Sequence, residues 1–196
     1  MKNINLDDSA LIVVDMQNDF LPGGSLEVPN SDTIIPIINE YIKFFEKKGK
    51  VVVFTRDWHP ENHVSFKENG GIWPKHCVQN TKGAEFHPDM YIPKESIIIS
   101  KAYEPNIEAY SGFENTNLHQ ELQNRNIKNV YVCGVATDYC VLNTVLSAVE
   151  LGYKVYLLID AIKGVDLKPN DSEEAIKTMI SKGVEILVLD ELLQSV

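Results

Sequence analysis

Three side chains suited to acyl transfer follow apolar runs in this chain. Asp15 comes directly after Leu11-Ile12-Val13-Val14, and Lys101 after Ile97-Ile98-Ile99-Ser100. Cys140 lies five residues past Val135, in Gly134-Val135-Ala136-Thr137-Asp138-Tyr139-Cys140. A thiol, a carboxylate and an ammonium together supply a nucleophile, a base and a stabilising cation. Singly each is ordinary: a strand-end Asp or Lys is usually solvated, and a lone Cys usually packs a core. The conjunction carries the reading. Thr137 or Asp138 can cap a helix that starts here, which puts Cys140 in its first turn. Free N–H groups and the positive end of the helix dipole then favour a thiolate and can hold an oxyanion. Cys133, inside an apolar run, and Cys77 are expected to be packing residues.

A second group could hold a metal. Asp57-Trp58-His59 follows another apolar run, with His63 and His76 further along. In extended chain, residues i and i+2 project to one side, so Asp57 and His59 can face one ion and His76 can complete a set of three. Imidazole and carboxylate suit one divalent metal, zinc first, with iron or manganese as alternatives. Three protein ligands leave room for water or substrate.

The elements that must position these groups alternate. Continuous apolar, β-branched runs at 10–14, 51–55, 97–100, 130–135, 155–159 and 185–189 read as buried parallel strands. Stretches with apolar spacing near 3.6 at 34–45, 118–127, 141–151 and 173–180 read as helices. Asn115 and Thr116 stand before the second of these, and Gly152 and Gly183 follow the third and fourth. This predicts an α/β fold of three αβα layers, with about six parallel strands and helices on both faces. Ligands in such sheets bind at the carboxyl ends of the strands, near a switch in strand order, where Asp15, Lys101 and Cys140 all fall. Two long connections, 21–30 and 56–95, are expected to be functional loops; the second holds both Trp and the three candidate metal-binding His.

A chain of 196 residues fits one domain, 1–196. Its net charge of -10 argues against nucleic acid or an anionic membrane as partner, since both need a basic face. No signal peptide or membrane span is legible, so a cytoplasmic protein is expected. Its three cysteines, Cys77, Cys133 and Cys140, are expected to stay reduced. A homo-oligomer is compatible with all of this.

Five segments in order resemble the isochorismatase-like cysteine hydrolases, and among them the nicotinamidases. They are Asp15-Met16-Gln17-Asn18-Asp19-Phe20, Thr55-Arg56-Asp57-Trp58-His59-Pro60, Trp73-Pro74-Lys75-His76-Cys77, Lys101 with Tyr110-Ser111-Gly112-Phe113, and Cys133 through Val141. The resemblance implies a triad of Asp15, Lys101 and Cys140, and a metal held by Asp57, His59 and His76, with His63 as a further or water-mediated ligand. It implies that Phe20 and Trp73 stack on the substrate ring and that Tyr110 lines the pocket. It also implies an oxyanion hole of the Ala136 and Cys140 N–H groups, with a cis peptide between Val135 and Ala136. One departure is Ala102, where many relatives have Gly.

The implied reaction is hydrolysis of nicotinamide to nicotinate and ammonia, as in NAD salvage, with pyrazinamide as a second substrate. The expected division of labour gives the ring to the metal and the thiolate to Asp15, Lys101 and the helix terminus. The rival reading is a related amidohydrolase acting on a carbamoyl or ureido compound, which would not need a pyridine-binding metal. A non-catalytic thiol sensor would need no proton shuttle, so Asp15 and Lys101 weigh against it.

Overall fold

The computed structural model describes residues 2–196. Six parallel strands form one sheet: β1 (Ser9–Val14), β2 (Val51–Asp57), β3 (Ile97–Lys101), β4 (Asn129–Val135), β5 (Lys154–Lys163) and β6 (Glu185–Leu187). Their spatial order is β3-β2-β1-β4-β5-β6. The order reverses between β1 and β4, so the crevice expected to take ligands opens at their carboxyl ends.

Five helices cover the sheet: α1 (Ile35–Lys47), α2 (Leu118–Asn124), α3 (Leu142–Glu150), α4 (Asp171–Ser181) and α5 (Leu189–Ser195). Successive residues of β1 point to opposite faces. Leu11 and Val13 pack in one cluster with Ile38, Tyr41 and Phe45 of α1 and Leu192 of α5. Ile12 and Val14 pack in the other with Leu122 of α2, Val145 of α3 and Met179 of α4. The strand is buried on both faces, which is why its sequence reads as unbroken apolar residues.

Several boundaries differ from the sequence reading. The run 185–189 divides, because Leu189 begins α5, where the Glu191 carboxylate accepts the Val188 N–H at 3.2 Å. β5 continues to Lys163: Ala161 and Ile162 stay buried past the polar Asp160, and Gly134 and Val135 of β4 pair with Ile162 and Lys163. Thr116 does serve α2, its hydroxyl accepting the Leu118 N–H at 3.3 Å. Gly134 of β4 lies against the backbone of Val14 in β1. Its φ is +109°, and a Cβ there would stand 2.2 Å from the Val14 carbonyl oxygen, so only glycine fits.

Candidate active site and metal group

Asp15, Asp57, Lys101 and Cys140 converge at the carboxyl ends of β1, β2, β3 and β4. Asp57 and Lys101 are the last residues of their strands and register partners. Lys101 is fully buried. Its ammonium lies 2.8 Å from Asp15 Oδ2, pairs with Asp57 Oδ1, and stands 3.4 Å from Cys140 Sγ. Asp15 adopts a left-handed φ of +52°, turning out of β1. The Thr55 hydroxyl donates to its Oδ1 at 2.8 Å. Its Oδ2 meets Lys101 as an ion pair without hydrogen-bond alignment, leaving a lone pair in the crevice.

The electrostatics separate the two carboxylates. Burial pushes Asp15 above the usual carboxylate range against the pull of Lys101. Burial acts on Asp57 in the same sense, but Lys101 and His59 overcome it and hold Asp57 well below that range. Burial works against the Lys101 ammonium, yet Asp15 and Asp57 outweigh it and hold the group well above the ordinary lysine range. Cys140 departs from the sequence reading. Burial outweighs the attraction of Lys101 and raises the thiol well above its ordinary value, so it rests as a thiol and needs a base.

The backbone around Cys140 differs as well. Thr137–Val141 forms a wide π turn ahead of α3, and no side chain caps it. Asp138 faces away and binds the chain after β5, because its carboxylate accepts the Val165 and Asp166 N–H groups at 2.9 and 2.8 Å. The Val135–Ala136 peptide is cis. Among the described residues, no acceptor takes the Ala136 N–H.

The candidate metal ligands also meet. Donor atoms of Asp57, His59 and His76 all lie within 4.8 Å of one another. His59 Nδ1 donates to the Ala102 carbonyl at 2.9 Å, and His76 Nδ1 to the Pro74 carbonyl at 2.7 Å. A carbonyl can only accept, so in the neutral rings the proton sits on Nδ1 and each Nε2 presents a lone pair. The two Nε2 atoms are 3.2 Å apart, and lie 3.4 and 3.7 Å from Asp57 Oδ2. Converging lone pairs on two imidazoles and a carboxylate fit a divalent metal. His63 is arranged differently: its Nδ1 meets Ser65 Oγ at 2.7 Å and its Nε2 the Ile107 carbonyl at 2.9 Å, while its ring stacks on His59 at 4.1 Å.

Between these groups lies a cavity of about 430 Å³, counted with its mouth. Asp15, Asp57, His76, Ala136 and Cys140 are among its lining residues, and Phe20, Trp73, Tyr110 and Tyr139 give it aromatic walls. Trp73 Nε1 donates to Tyr110 Oη at 3.0 Å and the indole meets Tyr139 edge-on at 5.0 Å, so the aromatic wall is fixed.

Some contributors were not legible as site residues. Glu108 lines the cavity, and burial raises its carboxyl. Phe66 meets His59, His63 and His76 edge-on. Gln17 clamps Asp57, accepting its N–H at 2.9 Å and donating to its carbonyl at 2.7 Å. Asp19 accepts the Cys77 N–H at 2.8 Å, which fixes the turn after His76. The polar cluster after β1 was the available signal for Gln17 and Asp19; Glu108 and Phe66 had none.

The isochorismatase domain model matches residues 9–191, and the chain belongs to that family. Within it, the chain is 37% identical over 201 residues to the nicotinamidase of Escherichia coli, covering 92% of this chain and 94% of that one. The structure of Pyrococcus horikoshii pyrazinamidase in complex with zinc is similar with a TM-score of 0.90 at 57% identity, covering 93% of this chain and 99% of that one. PnC1 of L. infantum in complex with nicotinate gives a TM-score of 0.87 at 34% identity, covering 95% and 96%.

Proposed function

We propose that this protein is a nicotinamidase, a metal-assisted cysteine amidohydrolase that converts nicotinamide to nicotinate and ammonia and also accepts pyrazinamide. The observation that carries the reading is the position of Lys101. Its ammonium joins Asp15, Asp57 and Cys140 at the floor of an aromatic-walled cavity that the Asp57, His59 and His76 group borders. An acyclic carbamoyl substrate would have no use for that second group.

Asp57, His59 and His76 would hold a divalent metal, zinc before iron or manganese, which when bound supplies a Lewis-acid anchor for the ring nitrogen. Phe20 and Trp73 sandwich the ring and Tyr110 fixes Trp73, so the carboxamide carbon faces Cys140. His63 packs His59 in place rather than ligating.

Asp15 takes the thiol proton as Sγ attacks the amide carbon, and Lys101 balances the charge of the ionised pair. The Ala136 and Cys140 N–H groups receive the oxyanion. Asp15 returns the proton to the departing ammonia, leaving a thioester. It then takes a proton from the water that cleaves the thioester, and Cys140 is regenerated as a thiol. A base that gives and takes twice works best with an affinity above that of a solvated carboxylate, the direction burial gives Asp15. The direct test is ammonia release from nicotinamide by the purified, metal-loaded protein. No release under those conditions would overturn the reading.

A further inference from the structure

One wall of the cavity is not explained by the chemistry above. Val165, in the connection between β5 and α4, lines the cavity together with Ala136 and Cys140. Connections of this kind are normally the variable, mobile part of an α/β fold, but this one is tied at each end.

Asp138, two residues before the nucleophile, accepts the Val165 N–H at 2.9 Å with Oδ1 and the Asp166 N–H at 2.8 Å with Oδ2. Two successive N–H groups converging on one carboxylate form a nest that fixes the backbone at Val165. Asp166 sits at a left-handed φ of +54°, and its Oδ1 accepts the Ser172 N–H of α4 at 2.7 Å. On the other side, a Cβ at Gly164 would stand 1.7 Å from Ser172 Oγ, so the chain lies flush against α4. Further along, the Lys168 N–H donates to Asp171 Oδ2 at 3.0 Å, so the connection is also held where it enters α4.

From this we infer that Val165 is a specificity-determining residue and Asp138 the positioning residue that holds it. Together they form a rigid wall that limits the size of the ring admitted beside Cys140. Valine suits the role because its branched Cβ restricts χ1, so it yields little to a larger ring. The inference rests on the nicotinamidase reading for the choice of ligands, though not for the existence of the wall.

The experiment compares nicotinamide with its ring-methylated derivatives, one for each open ring carbon, in the parent protein, Val165→Ala and Asp138→Asn. Val165→Ala should raise the kcat/KM of at least one methylated substrate relative to nicotinamide by about 10-fold or more, chiefly through KM, as expected for one methyl group of space. Asp138→Asn, which keeps one acceptor oxygen of two, should relax discrimination toward the same derivative by a smaller factor. Each ratio is measured within one protein, so a loss of folded material does not move it. Unchanged ratios in both variants would overturn the inference. A parent inactive on nicotinamide would instead overturn the functional reading. The wall would then be tested by quenching of Trp73 fluorescence with nicotinate and its methylated forms, where Val165→Ala must tighten binding of a methylated ring for the inference to survive.

Discussion

Asp57 and Lys101 form a buried ion pair through which the metal group and the nucleophile share one carboxylate. One oxygen of Asp57 meets the ammonium that faces Cys140, while the other lies 3.4 Å from His59 Nε2 and 3.7 Å from His76 Nε2. One residue therefore stands in both halves of the expected division of labour, ring on one side and thiol on the other. Asp57→Asn should lower metal affinity and also change the rate at which iodoacetamide alkylates Cys140. Alkylation identical to the parent, measured by mass spectrometry over pH 6–9, would show that the shared carboxylate does not couple the halves.

Removing the central cation should cost the fold as well as the reaction. Lys101→Met leaves the buried Asp15 and Asp57 carboxylates together without the ammonium that pairs with both. Breaking a buried pair this way costs about 3–5 kcal/mol. Urea titration of parent and variant reads that loss directly, and a variant as stable as the parent would contradict the placement of Lys101.

The acid side of the pH–rate profile should report Asp15. Its ionised form is the base, and burial raises its pKa, so activity should fall with acidification at a pH above the usual carboxylate range. Thr55 donates to that carboxylate and so favours the charged form. Thr55→Val should move the acid limb to higher pH. A shift to lower pH would remove Asp15 as the base. The two carboxylates also link stability to pH with opposite signs. Asp15, raised, favours the fold at low pH and loses that contribution as pH rises through its folded pKa; Asp57, depressed, contributes above its unfolded pKa and loses the contribution on acidification.

Metal loading should stabilise the protein. Ligand at 100 times its Kd adds about 2.7 kcal/mol when only the folded state binds it. Calorimetry of chelated and zinc-reloaded protein should therefore give separate melting temperatures, and His76→Ala should merge them. Coincident melts in the parent would argue against the ligand set.

Ala102 is the departure that structure explains. It holds a left-handed φ of +50° while its carbonyl accepts from His59 Nδ1. That conformation costs a residue with a Cβ about 1–2 kcal/mol. Ala102→Gly should relieve about 1 kcal/mol of it and raise Tm by roughly 2–4 °C in a chain of this size. A lowered Tm would mean that packing of the methyl group outweighs the strain.

The sheet was legible because each strand is buried on both faces and reads as one apolar run. α5 was not, because it starts two residues after β6 with no breaker between them and places only Leu192 deep in the core. Asp15, Lys101 and Cys140 were legible through their places after strands, and Asp57, His59 and His76 through residue type. Long-range partners set what was missed. Asp138 looked like a helix cap because nothing local indicates that its carboxylate binds Val165, 27 residues on. Cys140 looked like a thiolate because sequence shows the neighbouring cation but not how completely the site is dried.

The parallel pairing of β1 with β4 also governs when the site can exist. Ile12 pairs with Val132 and Val14 with Gly134, so Asp15 and Cys140 meet only when segments some 120 residues apart have zipped together. Loop closure over such a span is slow relative to local helix formation. Chain emerging from a ribosome therefore carries Asp15, Asp57 and Lys101 well before a nucleophile can join them. Until β4 inserts beside β1, Cys140 is an ordinary solvated thiol, with neither a base beside it nor burial to suppress its ionisation. Return of amidase activity on refolding would thus mark insertion of the central strand, and the interval before it is when this cysteine is most open to oxidation.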